Sequence, residues 1–154
     1  MANTERLTEL SLRAAEAVLA PLGFAYTVEV QPYEEGISLL LSSPDAAYLI
    51  GDEGDRLDDL QYLINRLVQT EWAAAPRVRV DCDGYRSRAE GRLLRRARSR
   101  AERVLQTGKP LMMERLNAYQ RRLVHQALAE FPGICTESEE TESRFKRITI
   151  RRAD

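Results

Sequence analysis

Leu7, Leu10, Ala14, Ala17 and Val18 recur at spacings of three and four, the period of a helix with one apolar face, and Pro21 and Gly23 stop that helix. From Phe24 the period falls to two. Phe24, Tyr26, Val28 and Val30 alternate, and after a turn around Pro32 to Gly36 the apolar stretch Ile37 to Leu41 completes a predicted hairpin. Ser43-Pro44-Asp45 is helix-start chemistry for a short run, Ala46 to Ile50, that Gly51 cuts off. A second helix follows Gly54, presents Leu57, Leu60, Ile64, Leu67 and Val68 on one face, and ends before Pro76; Val78 and Val80 then alternate in a strand.

From Tyr85 to about Gln106 the chain reads as a long Arg-rich helix with Leu93, Leu94, Ala97, Ala101, Val104 and Leu105 on one stripe, closed by Thr107-Gly108-Lys109-Pro110. Leu111 to Leu116 suits a short strand. Asn117 with Gln120 three residues on forms a capping box for a helix to about Glu130. Ile134 to Glu137 and Phe145 to Arg151 read as strands on either side of the acidic stretch Ser138 to Glu142. The expected fold class is α+β: two small modules, 1–83 in the order αββααβ and 110–154, joined by a connecting helix over 84–109.

Charge divides the chain in the same place. The overall net charge is −1, yet residues 1–83 hold 6 basic and 15 acidic side chains, net −9, and residues 84–154 hold 17 and 9, net +8. A basic half rich in Arg points to a polyanion partner for that half, or to docking on the acidic one. Cys82 and Cys135 are far apart and in no metal-ligand spacing, so neither a disulfide framework nor a zinc site is expected, and no cofactor. No apolar run is long enough to span a membrane, and the polar N-terminus lacks the make-up of a secretory signal, so a cytoplasmic protein is expected.

Two segments carry candidate chemistry. Gly51-Asp52-Glu53-Gly54 lies between two predicted helices, where glycines allow a sharp turn and a following helix N-terminus offers free N–H groups to a phosphate. On spacing alone the segment reads first as a plain helix-to-helix connection. Arg121 and His125 are four apart and share a helix face. Arg can fork onto a phosphate or stack on a base, and His can stack and hydrogen-bond. On spacing alone this His also reads as a structural residue.

Taken together the motifs are more specific. The order αββααβ around Gly51–Gly54 resembles the type II KH fold, whose loop clamps the backbone of a single strand. Gly108-Lys109-Pro110, Asn117-Ala118-Tyr119 and Arg121-Arg122-Leu123-Val124-His125 together resemble the R-three-H domain as found in the Jag family. The junction Asp83-Gly84-Tyr85-Arg86 also resembles that family, and the match runs in order from about residue 20 to 150. The separate N-terminal domain of many Jag proteins is not expected here, since the KH-like pattern starts almost at Met1.

The resemblance implies single-stranded RNA binding, with single-stranded DNA as a further ligand, in a bacterial cytoplasm and with a link to cell-envelope growth or division. It places the nucleic-acid contacts at Lys109, Asn117, Tyr119, Arg121, Arg122 and His125. The loop departs from the KH pattern, because Asp52 and Glu53 stand where at least one basic residue is usual. With Asp55, Asp58 and Asp59 they oppose a phosphate, so the KH-like module is expected to bind RNA weakly or not at all. It would serve instead in packing, as a homodimer or as a heterodimer with a stand-alone KH protein.

The Arg-rich helix reads either as an RNA-phosphate contact or as a solvated face docked on the acidic half, and Tyr85 and Tyr119 either as stacking platforms or as packing. Catalysis is not expected: the sole His sits in an Arg-rich helix with no nucleophile in a suggestive spacing. The competing reading is a protein-interaction module with little direct RNA binding. Salt separates the two, since polyanion binding weakens steeply with it and an apolar interface does not.

Overall fold

The three-and-four spacing at the N-terminus does form a helix, α1 (Ala2–Leu19), which buries Leu7, Leu10, Ser11, Ala14, Ala15 and Leu19. Ala17, expected on this face, is exposed. The buried row follows positions 7, 11, 15 and 19, and each step of four advances it around the helix, leaving Ala17 at its trailing edge. Buried Ser11 is satisfied by donating to the Leu7 carbonyl at 2.6 Å. The computed structural model describes residues 2–154 and divides into two units, 2–86 and 87–154.

In the first unit, strands β1 (Thr27–Tyr33) and β2 (Gly36–Ser42) pair antiparallel, with Thr27 opposite Ser42 and Tyr33 opposite Gly36. The helix α2 (Ala46–Ile50), a tight turn at Asp52–Gly54 and the helix α3 (Asp55–Glu71) follow. They return the chain to β3 (Val78–Cys82), which lies parallel to β2. The order αββααβ is the one expected from the sequence, on a sheet ordered β1-β2-β3. Ile37, Leu39 and Leu41 of β2 and Val78, Val80 and Cys82 of β3 meet Leu57, Leu60, Ile64 and Val68 of α3 in one core. β3 is an edge strand, and two amides of α3 cover that edge. Asn65 accepts from the Val78 amide at 3.0 Å and donates to the Val78 carbonyl at 2.7 Å, while Gln61 accepts from the Val80 amide at 2.9 Å.

The helix α4 (Tyr85–Thr107) starts as the first unit ends, its first turn held by the buried Asp81 carboxylate, which accepts from the Arg86 amide at 3.0 Å. From residue 87 it belongs to the second unit, where Leu93, Ala97, Ala101 and Val104 form one wall of a separate core. Val124 and Leu128 of α5 (Ala118–Ala129) and Ile148 and Ile150 of β6 (Ile148–Arg152) complete it with Met113, Leu116 and Ile134. β6 is central, flanked antiparallel by β4 (Leu111–Met112) and β5 (Ile134–Ser138).

Two strands are shorter than their apolar runs. β4 stops at Met112 and only a bridge from Leu116 to Lys146 continues it, because Glu114 turns out of the ladder to meet two arginines of α4. β6 begins at Ile148 because the Arg147 amide is taken by the Glu139 carboxylate at 3.1 Å. Cys82 is buried and Cys135 half-buried, and both are free thiols. Among the described residues no helix is long and apolar enough to cross a membrane, and no group of His, Cys, Asp and Glu could hold a metal ion.

Candidate nucleic-acid interface

The capping box expected from the sequence starts α5. Asn117 Oδ1 accepts from the Gln120 amide and Gln120 Oε1 from the Asn117 amide, both at 2.9 Å. This fixes the helical phase of every motif residue that follows. Asn117 is thus occupied in part as a cap.

Arg121 and His125 share a face of α5 and both are half-buried. Arg121 Nη1 donates to the Leu116 carbonyl at 2.7 Å and to the Arg144 carbonyl at 3.3 Å, tying α5 to the chain before it and to the segment before β6. On β5, residues two apart point the same way, so Thr136 and Ser138 both face α5. His125 Nδ1 lies 2.6 Å from Thr136 Oγ1 and Nε2 2.8 Å from Ser138 Oγ. Hydroxyls rotate to donate or accept, so a neutral imidazole satisfies both contacts in either tautomer. Burial, and then the Arg121 charge, hold the His125 pKa below its usual value, which favours that neutral ring.

Arg122 and Tyr119 lie further around α5. The Arg122 guanidinium sits 5.4 Å from the Tyr119 ring centroid, and the Tyr119 hydroxyl donates to Glu90 Oε1 of α4 at 3.1 Å. Arg122 is exposed and its guanidinium, although stacked, has no carboxylate partner among the described residues. Lys109 is exposed after Gly108, and no side-chain contact brings it to the α5 group.

The basic residues of α4 divide into two sets. Arg96 and Arg100 converge on Glu114, at 2.6 and 2.8 Å. Burial alone would raise the Glu114 carboxyl, but a backbone hydrogen bond and the two guanidinium groups bring it down to about 2. Arg92, Arg95, Arg98 and Arg103 are exposed and form no ion pair among the described residues.

In the first unit, Gly51 (φ 72°, ψ −166°) and Gly54 (φ 82°, ψ 14°) take backbone angles that side chains resist. A Cβ at Gly54 would lie 2.7 Å from Tyr85 Cε1, and one at Gly51 2.2 Å from Asp55 Oδ1. The loop is therefore close-packed from behind, and it displays Asp52 and Glu53 to solvent with no hydrogen-bond partner for either carboxylate among the described residues. Tyr85 packs on the first core, so here the packing reading of that tyrosine holds.

Sequence reasoning did not reach Thr136, Ser138 and Glu114. The alternation in β5 is the signal that could have paired both hydroxyls with one helix residue. Nothing local to Glu114 points to arginines more than a dozen positions earlier.

A family model for the R-three-H domain matches residues 92–152. Three curated proteins, each named RNA-binding protein KhpB, are similar to the chain. That of Clostridium symbiosum is 30% identical over 95% of this chain and 66% of its own length. That of Lactiplantibacillus plantarum is 30% identical over 80% of this chain and 38% of its own. That of Bacillus subtilis is 27% identical over 68% and 50% respectively. The chain thus spans less than two thirds of each relative.

Proposed function

The chain belongs to the Jag family, that of the KhpB proteins, with an R-three-H domain in its second half, and on that footing we propose that it binds single-stranded RNA through the second unit. The observation that carries the reading is the α5 surface, where exposed Arg122 is stacked on Tyr119 beside the Arg121–His125 pair in the basic half of the chain. A stacked Arg–Tyr pair offers a flat cation and a ring to bases and phosphates together. Arg121 and His125 contribute by fixing α5 against β5 and the Arg144 segment. Asn117 and Lys109 flank the contact. The relatives' name, RNA-binding protein, supports RNA as the ligand, single-stranded DNA being the near competitor, and a binding protein in place of a catalyst; a place in the bacterial cytoplasm and a role in envelope growth are part of the proposal and rest on the family resemblance alone.

In the same proposal the first unit is a KH-like module whose loop does not hold RNA, because Asp52 and Glu53 stand where a phosphate would. A second role is favoured by α3, whose outward side exposes Tyr62 (64%), Leu63 (46%) and Leu67 (40%). Monomers seldom leave such a row of large apolar side chains uncovered, so this face suits pairing with another KH-like module. Titration of labelled single-stranded RNA at two salt concentrations tests the main reading. Binding should weaken with salt and fall on Tyr119→Ala/Arg122→Ala substitution, and salt-insensitive or absent binding would leave only the pairing role.

A further inference from the structure

Between β5 and β6 the chain carries Arg144, Phe145, Lys146 and Arg147 in succession. The backbone is tied on both sides of the aromatic residue. Arg121 holds the Arg144 carbonyl at 3.3 Å, the Phe145 amide donates to Ser143 Oγ at 3.3 Å, and Lys146 exchanges main-chain bonds with Leu116 at 2.8 and 3.0 Å. The ring itself joins neither core and stays 47% exposed, with the Arg144 guanidinium 5.8 Å from its centroid. A phenylalanine held by a fixed backbone, left in water and flanked by three cations has the make-up of a stacking surface for bases.

We propose that Phe145 is a base-stacking platform for single-stranded nucleic acid, with Arg144, Lys146 and Arg147 following the phosphates. The inference rests on the RNA-binding reading and adds to it a site within the matched domain but outside its Arg121–His125 motif. It also gives the Arg121 clamp a purpose, since Arg121 fixes the carbonyl of the residue next to the platform.

Acidic neighbours decide how this site works. The Glu139 carboxylate is engaged by the Arg147 amide at 3.1 Å, whereas Glu140 and Glu142 are exposed and form no ion pair among the described residues. An amide hydrogen bond leaves the Glu139 charge in place, so three carboxylates stand against the three cations, and the ring face contributes more than the net charge does. An acidic peptide would meet the same carboxylates without a base to stack.

Trp72, in the first unit, is the only tryptophan, so the full chain with Trp72→Phe and Phe145→Trp carries a single indole at the platform. Titrated with oligoadenylate, its emission should be quenched, saturating where the anisotropy of the labelled oligonucleotide saturates. In the otherwise natural chain Phe145→Leu should weaken binding roughly tenfold with little change in its salt dependence, and Phe145→Tyr should keep the affinity. Unchanged emission at saturating RNA, or Phe145→Leu binding as the natural chain does, overturns the platform and leaves RNA binding by the α5 surface intact. Failure of the natural chain to bind RNA removes both. An indole response to polyglutamate and not to RNA also overturns the proposal.

Discussion

Replacing Arg121 by Ala separates a residue that holds the interface from one that touches the ligand. The guanidinium makes one short bond to the Leu116 carbonyl and one long bond to that of Arg144. Leu116 O already accepts from the Lys146 amide at 3.0 Å, so truncation does not leave that carbonyl unpaired. A bond from a charged donor contributes about 1.5–3 kcal/mol; the Leu116 carbonyl keeps a partner and the Arg144 bond is long and exposed, so the loss is close to that of one bond at the low end, about 1.5–2 kcal/mol. In a unit of this size that is roughly 6–16 °C of melting temperature. Residue-resolved amide exchange reads it without interference from the first unit: protection at Leu116 and Lys146 should fall most, and Arg121→Lys should recover only part, since an ammonium cannot fork. RNA affinity should drop in step with the loosened segment, while the slope of log affinity against log salt stays within about 0.3 of the natural value. Losing one phosphate contact flattens that slope by about 0.7. Full stability with a slope flattened by that amount would refute the clamp and make Arg121 a plain phosphate ligand.

His125 gives the second unit a pH dependence. Its folded pKa lies below its unfolded value, so the unfolded chain binds more protons as the pH falls through that range, and stability should decline below about pH 6.5; melting at pH 5.5 and 7.5 should differ, and His125→Gln should remove much of the difference. Glu114, with its folded pKa lowered to about 2, contributes stability that is complete above the unfolded carboxylate range and is lost as the pH drops through the folded value. Because its side chain is 38% exposed, screening limits the effect, and Glu114→Gln should cost about 1 kcal/mol in urea unfolding at pH 7. Gly54→Ala, facing both a positive φ and the Tyr85 ring, should destabilise the first unit by about 2 kcal/mol or more. Gly23→Ala, with a similar φ of 73° and open space around it, should cost about 1 kcal/mol, and equal costs would argue against close packing behind the loop.

Periodicity made most of the fold legible. Leu57, Leu60, Ile64 and Val68 repeat at helical spacing and all are buried, and the box of Asn117 and Gln120 marks the start of α5 to the residue. Leu67 looked equivalent to its neighbours but is exposed, because a stripe of hydrophobic residues does not say how wide the covering surface is. The candidate site was legible as a set of residues and not as an arrangement. Arg121 and His125 share a face as their spacing requires, yet beyond the Leu116 carbonyl five residues back their partners are the Arg144 carbonyl and the hydroxyls of Thr136 and Ser138, which only the return of the chain through β5 brings near. Phe145 read as the first residue of a strand; the Glu139 bond to the Arg147 amide delays the strand and leaves that ring outside the core.

The most direct measurement is the affinity of the full chain for labelled single-stranded RNA at two salt concentrations, beside Tyr119→Ala/Arg122→Ala and Asp52→Lys/Glu53→Lys. The account predicts salt-sensitive binding that falls about tenfold or more in the first variant and rises in the second. Binding that ignores salt, or that survives loss of Tyr119 and Arg122 unchanged, would contradict it.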